Sequence, residues 1–121
     1  MNLWEIEDEQ WLNSLTTTLY SGYLTSKYVL PYMLPNNASK IVNVLSINDS
    51  VPLKAASSYC NAKAGLLMLT KVLSLELASC NIQVNAVFPE LTLTDRTVGI
   101  LDADGNVDKS NPVVAAISTK V

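Results

Sequence analysis

Three residues of this 121-residue chain, Ser46, Tyr59 and Lys63, have the types and spacing to move a proton beside a carbonyl group. Tyr59 follows Ser46 by thirteen positions, and Lys63 follows Tyr59 by four. Interconverting a carbonyl and an alcohol needs a proton donor at the oxygen, a group that polarises that oxygen, and a hydride source alongside. A phenol can give or take the proton, but with an ordinary pKa of about 10 it is a poor base at neutral pH. An ammonium one helical turn away favours the phenolate by opposite charge and brings the group towards its useful range. The Ser46 hydroxyl can hydrogen-bond the substrate oxygen in an oxyanion-type role. Singly, each residue has a plainer reading: a packed aromatic with a wet hydroxyl, a solvated helix charge and a strand-end cap. Only the combination, held in one place, makes chemistry.

The flanking residues supply elements that hold it. Ser46 closes a β-branched apolar run that predicts a buried strand over 40–46. Tyr59 and Lys63 open a helical pattern over 57–79, with Ser57 or Ser58 as its N-cap, and an i, i+4 spacing places both on one helical face. Few charges interrupt this helix (Lys63, Lys71, Glu76), which predicts burial between the sheet and a partner subunit. A second apolar run predicts a strand over 82–88, ending at Pro89. Strand, helix and strand of this length make a βαβ unit with parallel strands and a right-handed crossover. Ligands of open α/β sheets bind beyond the carboxyl ends of the strands, where Ser46 falls. Upstream, Leu12, Leu15, Leu19, Tyr23 and Leu30 form the apolar stripe of a long helix over 9–34. Pro31 should kink or shorten its last turn, and Pro35-Asn36-Asn37 should end it. Residues 90–121 are polar and irregular, with a loop at Asp102–Asn106.

Composition excludes several classes. The net charge is −3 and no basic stripe is present, which argues against nucleic acid as a partner. No histidine occurs, which removes histidine-based triads and most catalytic zinc sites; no metal site is expected. The apolar runs are too short to span a bilayer, and the acidic N-terminal stretch is unlike a signal peptide. Cys60 and Cys80 form no C-x-x-C pair and read as free thiols of a reducing compartment, so a cytoplasmic location is expected. Apolar residues make up 49% of the chain and charged ones only 16%, which is rich for one small domain. A sheet buried on both faces accounts for part of that; a core shared with missing partners accounts for more.

The serine, the Tyr59-x-x-x-Lys63 pair, the Gly65-Leu66 continuation and the strand after the helix together resemble the catalytic half of the short-chain dehydrogenase/reductase family, over about Trp4 to Thr97. The resemblance implies an α/β fold, a partial doubly wound, Rossmann-like parallel sheet with a helix–strand–helix–strand core. It implies NAD or NADP as cofactor, a small alcohol or carbonyl substrate, and a homo-oligomer formed through the helices at 9–34 and 57–79. Lys63 would hold the nicotinamide ribose hydroxyls beside Tyr59, while Pro89, Thr92 and Thr94 fall at cofactor-contacting positions and 90–121 would form the substrate-loop region and tail. Three positions depart from the family pattern. Thr18 stands where an asparagine helps hold a relay water, Glu90 replaces the glycine after Pro89, and Leu45 replaces a small residue. The family's glycine-rich phosphate loop is absent, since Gly22, Gly65, Gly99 and Gly105 are isolated. The pyrophosphate and adenosine sites therefore cannot be built from these residues alone. A rival of another class follows: a truncated, non-catalytic form without cofactor binding that at most pairs with a full-length relative. Its first strand would keep an unpaired apolar edge. An unrelated α/β binding module is a third, weaker reading.

Overall fold

In a computed structural model of the chain, the structure describes residues 1–46, 52–90 and 101–111. The chain divides into two compact units, Met1–Pro89 and Glu90–Val121.

The first unit opens with a single 3-10 turn, Leu3–Glu5, and then a long helical segment. That segment consists of α1 (Asp8–Leu15), one π-helical turn (Thr16–Tyr20) and α2 (Ser21–Met33). Asp8 and Glu9 sit in the first turn of α1, where acidic side chains complement the helix dipole. Pro31 lies inside α2 without ending it, because the helix runs on to Met33 and a 3-10 turn at Leu34–Asn36. Asn37 closes this turn in the left-handed conformation, φ 49°, one that asparagine adopts more readily than most residues.

Strand β1 (Lys40–Val44) pairs in parallel with β2 (Gln83–Val87), in the register Lys40 with Gln83 through Val44 with Val87. Among the described residues this is a two-stranded sheet. The strands are shorter than the apolar runs because Leu45 and Ser46 continue past β1, although the Leu45 N–H still reaches Val87 O at 2.8 Å. The crossover is α3 (Ser57–Glu76), followed by a 3-10 turn at Ala78–Cys80 and Asn81 in the left-handed conformation, φ 55°. Asn81 Nδ2 donates to Asn37 O, so the turns leading into the two strands are joined. Ala56, not Ser57 or Ser58, occupies the N-cap of α3, and no side chain caps it. The Ser57 hydroxyl is buried with no hydrogen-bond partner among the described residues.

Alternation along the strands decides where the core sits. Ile41 and Val84 face α3 and join Leu73, Leu77 and Ile82, with Leu30 and Met33 of α2 packed alongside. The buried side of α3 is Ser58, Ala62, Leu66, Thr70 and Leu73, a stripe at three- and four-residue steps. On its opposite side Met68, Val72 and Leu75 are all exposed. The helix is therefore amphipathic in place, although its sequence is apolar nearly all round. Among the described residues, no helix is long and apolar enough to cross a membrane. In the second unit, Leu101 and Val107 form an antiparallel bridge. The intervening turn is held by the Asp102 carboxylate, which accepts from the Asp104 and Asn106 N–H groups at 2.9 Å each.

Candidate active site

The site is built where β1 ends and α3 begins. Parallel pairing brings the carboxyl ends of both strands to one edge. Because Val44 pairs with Val87, Ser46 and Pro89 each lie two residues beyond the last pair. Ser46 is buried at that edge, and Pro89 is exposed. Tyr59 and Lys63 lie in the first two turns of α3 and share a face, with the Lys63 Nζ 5.9 Å from the centre of the Tyr59 ring. The ammonium also donates to Val44 O at 2.9 Å, across nineteen residues of chain. This bond fastens the start of α3 to the end of β1, two residues before Ser46. Lys63 thus ties the strand end two residues before Ser46 to the helical face that also carries Tyr59. Tyr59 remains 40% exposed, open to a ligand from solvent.

A second polar tie sets the register of helix on strand. Asn43 Nδ2 donates to Thr70 Oγ1 at 2.8 Å, and the same hydroxyl donates to Leu66 O at 2.8 Å. Lys63 and Thr70 are seven residues apart, two helical turns, and so lie on one side of α3. Sequence reading missed this pair, although an asparagine inside a β-branched run and a threonine inside a leucine-rich helix were the available signals. The loop before α3 contains Ala55 with φ 61°, a left-handed conformation unusual for a residue with a side chain. The N-terminal ammonium donates to Ala55 O at 3.2 Å.

Thr18 lies in the π-helical turn and is half-buried. Sequence reading placed the irregularity of this helix at Pro31; the structure places one at 16–20. Its signal was the run Ser14, Thr16, Thr17, Thr18 and Ser21. Hydroxyls of this kind return bonds to the preceding turn and bend helices. Thr17 donates to Asn13 O at 2.8 Å and Ser21 to Thr17 O at 2.7 Å. Glu90 opens the second unit and is exposed. Thr92 and Thr94 lie outside the described residues, as does the whole loop between Ser46 and Pro52. Among the described residues no cluster of histidine, cysteine or acidic groups could hold a metal ion, and both cysteines are free.

The residues present fit one end of a nicotinamide cofactor. A cation fastened to the end of β1 and an exposed phenol on the same helical face suit a ribose and a carbonyl. They do not supply a glycine-rich turn for a pyrophosphate.

The chain is 35% identical over 100 residues to the 3-oxoacyl-[acyl-carrier-protein] reductase FabG of Haemophilus influenzae, covering 83% of this chain and 41% of that protein. It resembles the crystal structure of acetoin dehydrogenase from Enterobacter cloacae, with a TM-score of 0.75, 32% identity and coverage of 81% of this chain and 39% of that one. The fold is shared with a gluconate 5-dehydrogenase from Burkholderia cenocepacia determined with NADP and tartrate, with a TM-score of 0.79, 23% identity and coverage of 86% and 41%. The chain therefore spans about two-fifths of the length of the curated relatives it matches. The sequence model for short chain dehydrogenases matches residues 1–104, and this chain belongs to that family of oxidoreductases.

Proposed function

We propose that these residues form the catalytic segment of an NAD- or NADP-dependent oxidoreductase that interconverts a small alcohol and its carbonyl. The observation that carries the reading is the bond from Lys63 Nζ to Val44 O. It holds the Tyr59–Lys63 face of α3 against the strand end that bears Ser46. Relatives named for a 3-oxoacyl-[acyl-carrier-protein] or for acetoin handle a ketone or a secondary alcohol, and that substrate class suits a hydroxyl and a phenol as its polar partners.

In the direction of reduction, the Tyr59 hydroxyl donates its proton to the substrate oxygen as charge builds there. The Ser46 hydroxyl donates a hydrogen bond to the same oxygen and stabilises that charge. Lys63 contributes a positive charge beside the phenol and donors for the ribose hydroxyls. It has three N–H bonds, so one can stay on Val44 O while others reach a ligand. When bound, the nicotinamide supplies or takes the hydride. In oxidation, Tyr59 accepts the proton from the alcohol. Pro89, Thr92 and Thr94 are assigned to the nicotinamide end of the cofactor. The bare outer side of α3 at Met68, Val72 and Leu75 supports a homo-oligomer through the helices at 9–34 and 57–79.

The test is Tyr59→Phe in an assembly of this chain that turns over a carbonyl substrate. Removing the only proposed proton donor should lower kcat by about a hundredfold or more, while helical content by circular dichroism stays unchanged. Retained turnover would discard the mechanism.

A further inference from the structure

We infer that Asn43 and Thr70 are positioning residues for the candidate site, their hydrogen bond setting where α3 stands along β1 and so where the Lys63 ammonium is presented. This assignment deepens the proposed function and rests on the role given there to Lys63.

Two neighbouring residues of β1 are tied to α3. Val44 O accepts from Lys63 Nζ at 2.9 Å, and Asn43 Nδ2 donates to Thr70 Oγ1 at 2.8 Å. Neighbours on a strand are about 3.3 Å apart, whereas the seven residues from Lys63 to Thr70 rise about 10.5 Å along the helix. The lysine stem bridges the difference. That stem is long and flexible, so its ammonium can follow the Val44 carbonyl through a slide of the helix. Asn43 and Thr70 have no such slack. The threonine hydroxyl is one bond beyond Cβ and the asparagine amide nitrogen two, so their bond exists at one placement of helix on strand. Lys63 makes the contact with the strand end, and the shorter pair decides where it is made.

The surroundings hold that pair still. Thr70 is 5% exposed, and its hydroxyl proton is committed to Leu66 O at 2.8 Å, which leaves the oxygen lone pairs to accept from Asn43. Asn43 lies on the same face of β1 as Ile41, the face that packs on α3. Its cross-strand partner is Ala86, whose small side chain leaves room for the amide. The other buried contacts along this stripe include Ala62, Leu66 and Leu73, and apolar attraction has no direction. Moving α3 by the rise of one residue, about 1.5 Å, would keep much of that burial and lose the bond between Asn43 and Thr70. The same movement would carry Tyr59 and Lys63 away from their places at the strand end. A misplacement of about 1 Å can cost a reaction about a hundredfold. Loss of the pair therefore falls on the site more heavily than on the fold.

The test reads the Lys63 contact directly, as the NMR scalar coupling between Lys63 Nζ and the Val44 carbonyl carbon across their hydrogen bond, in the isotope-labelled 121-residue chain. The coupling should be present in the wild-type chain and in Thr70→Ser, which keeps the hydroxyl. It should vanish in Thr70→Val and in Asn43→Leu, with helical content by circular dichroism unchanged. Ser74→Ala removes another hydroxyl of α3, one that donates to Lys71 O at 2.7 Å, and should leave the coupling intact. NADH and NADPH should bind Thr70→Val about tenfold more weakly than Thr70→Ser, the size of one charge-assisted hydrogen bond. A coupling that survives in both Thr70→Val and Asn43→Leu, or that Thr70→Ser fails to keep, overturns the inference. So does a wild-type chain without the coupling, or equal nucleotide binding by Thr70→Val and Thr70→Ser. A chain with the expected couplings that binds neither nucleotide upholds the positioning and counts against the catalytic reading, so the two fail separately.

Discussion

At the residue scale, two polar ties decide whether the candidate site exists as a site. Lys63 to Val44 O and Asn43 to Thr70 register α3 on β1 more specifically than leucine packing does, since apolar contacts tolerate sliding and hydrogen bonds do not. Thr70→Val keeps the shape of the side chain and removes the acceptor for Asn43. Asn43 is half-buried, and a hydrogen bond of this kind contributes about 0.5–1.5 kcal/mol net, so urea denaturation should show a loss of that order. A change within error would show that the tie is dispensable. A different residue-scale device holds the second unit. The Asp108 carboxylate accepts from Ser110 Oγ at 2.6 Å and from the Ser110 N–H at 2.8 Å. These bonds, the side-chain one foremost, hold its pKa below the ordinary 3.8. A depressed carboxyl pKa stabilises the folded state above the unfolded value, and the contribution fades as pH falls through the lowered one. Ser110→Ala should raise the Asp108 pKa towards 3.8 in an NMR titration. An unmoved titration would assign the shift elsewhere.

At the scale of elements, the helices meet through reciprocal gaps. A Cβ on Gly22 would stand 2.7 Å from Leu66 Cδ1, and one on Gly65 would stand 2.8 Å from Leu19 Cδ2. Each glycine therefore receives a leucine from the opposite helix. In the first case only the tip of Leu66 is close, whereas in the second Leu19 Cδ1 and Cγ follow at 3.4 and 3.6 Å. Replacing glycine by alanine in a helix gains up to about 1 kcal/mol of propensity, and overpacking costs about 1–3 kcal/mol. Gly65→Ala should therefore destabilise the chain, and more than Gly22→Ala does, in parallel denaturant titrations. The reverse order would mean that Leu19 yields more readily than Leu66. The π-helical turn at Thr16–Tyr20 belongs to this scale too. It widens the helix one turn before Gly22, where Leu19 reaches towards α3.

At the scale of the molecule, the first unit is one layer of helices on a narrow parallel sheet, with the catalytic-type residues at the carboxyl edge and valines bare behind it. The cofactor question belongs here, because half of a dinucleotide site would be held by Lys63 and its surroundings. Titration of the purified chain with NADH and NADPH, followed by nucleotide fluorescence, should show weak saturable binding that falls further in Lys63→Ala. A folded chain that binds neither would mean that the nicotinamide end is insufficient without the phosphate-binding portion of the fold.

Local chemistry made much of this legible in the sequence. Ser46, Tyr59 and Lys63 could be singled out because i, i+4 spacing on a helix and the end of a β-branched run are local geometry. The parallel pairing of β1 with β2 followed from the length of the crossover, and the turn before β1 from Pro35-Asn36-Asn37. The Asn43–Thr70 tie spans twenty-seven residues, and no local pattern encodes a contact at that range. The sequence put the irregularity of this helix at Pro31 rather than at the π-helical turn Thr16–Tyr20, because a proline is the louder signal and a helix can accommodate one near its end. Nor could the sequence divide α3 into a buried and a bare side. Its residues are apolar nearly all round, and only packing against the sheet decides which of them water still sees.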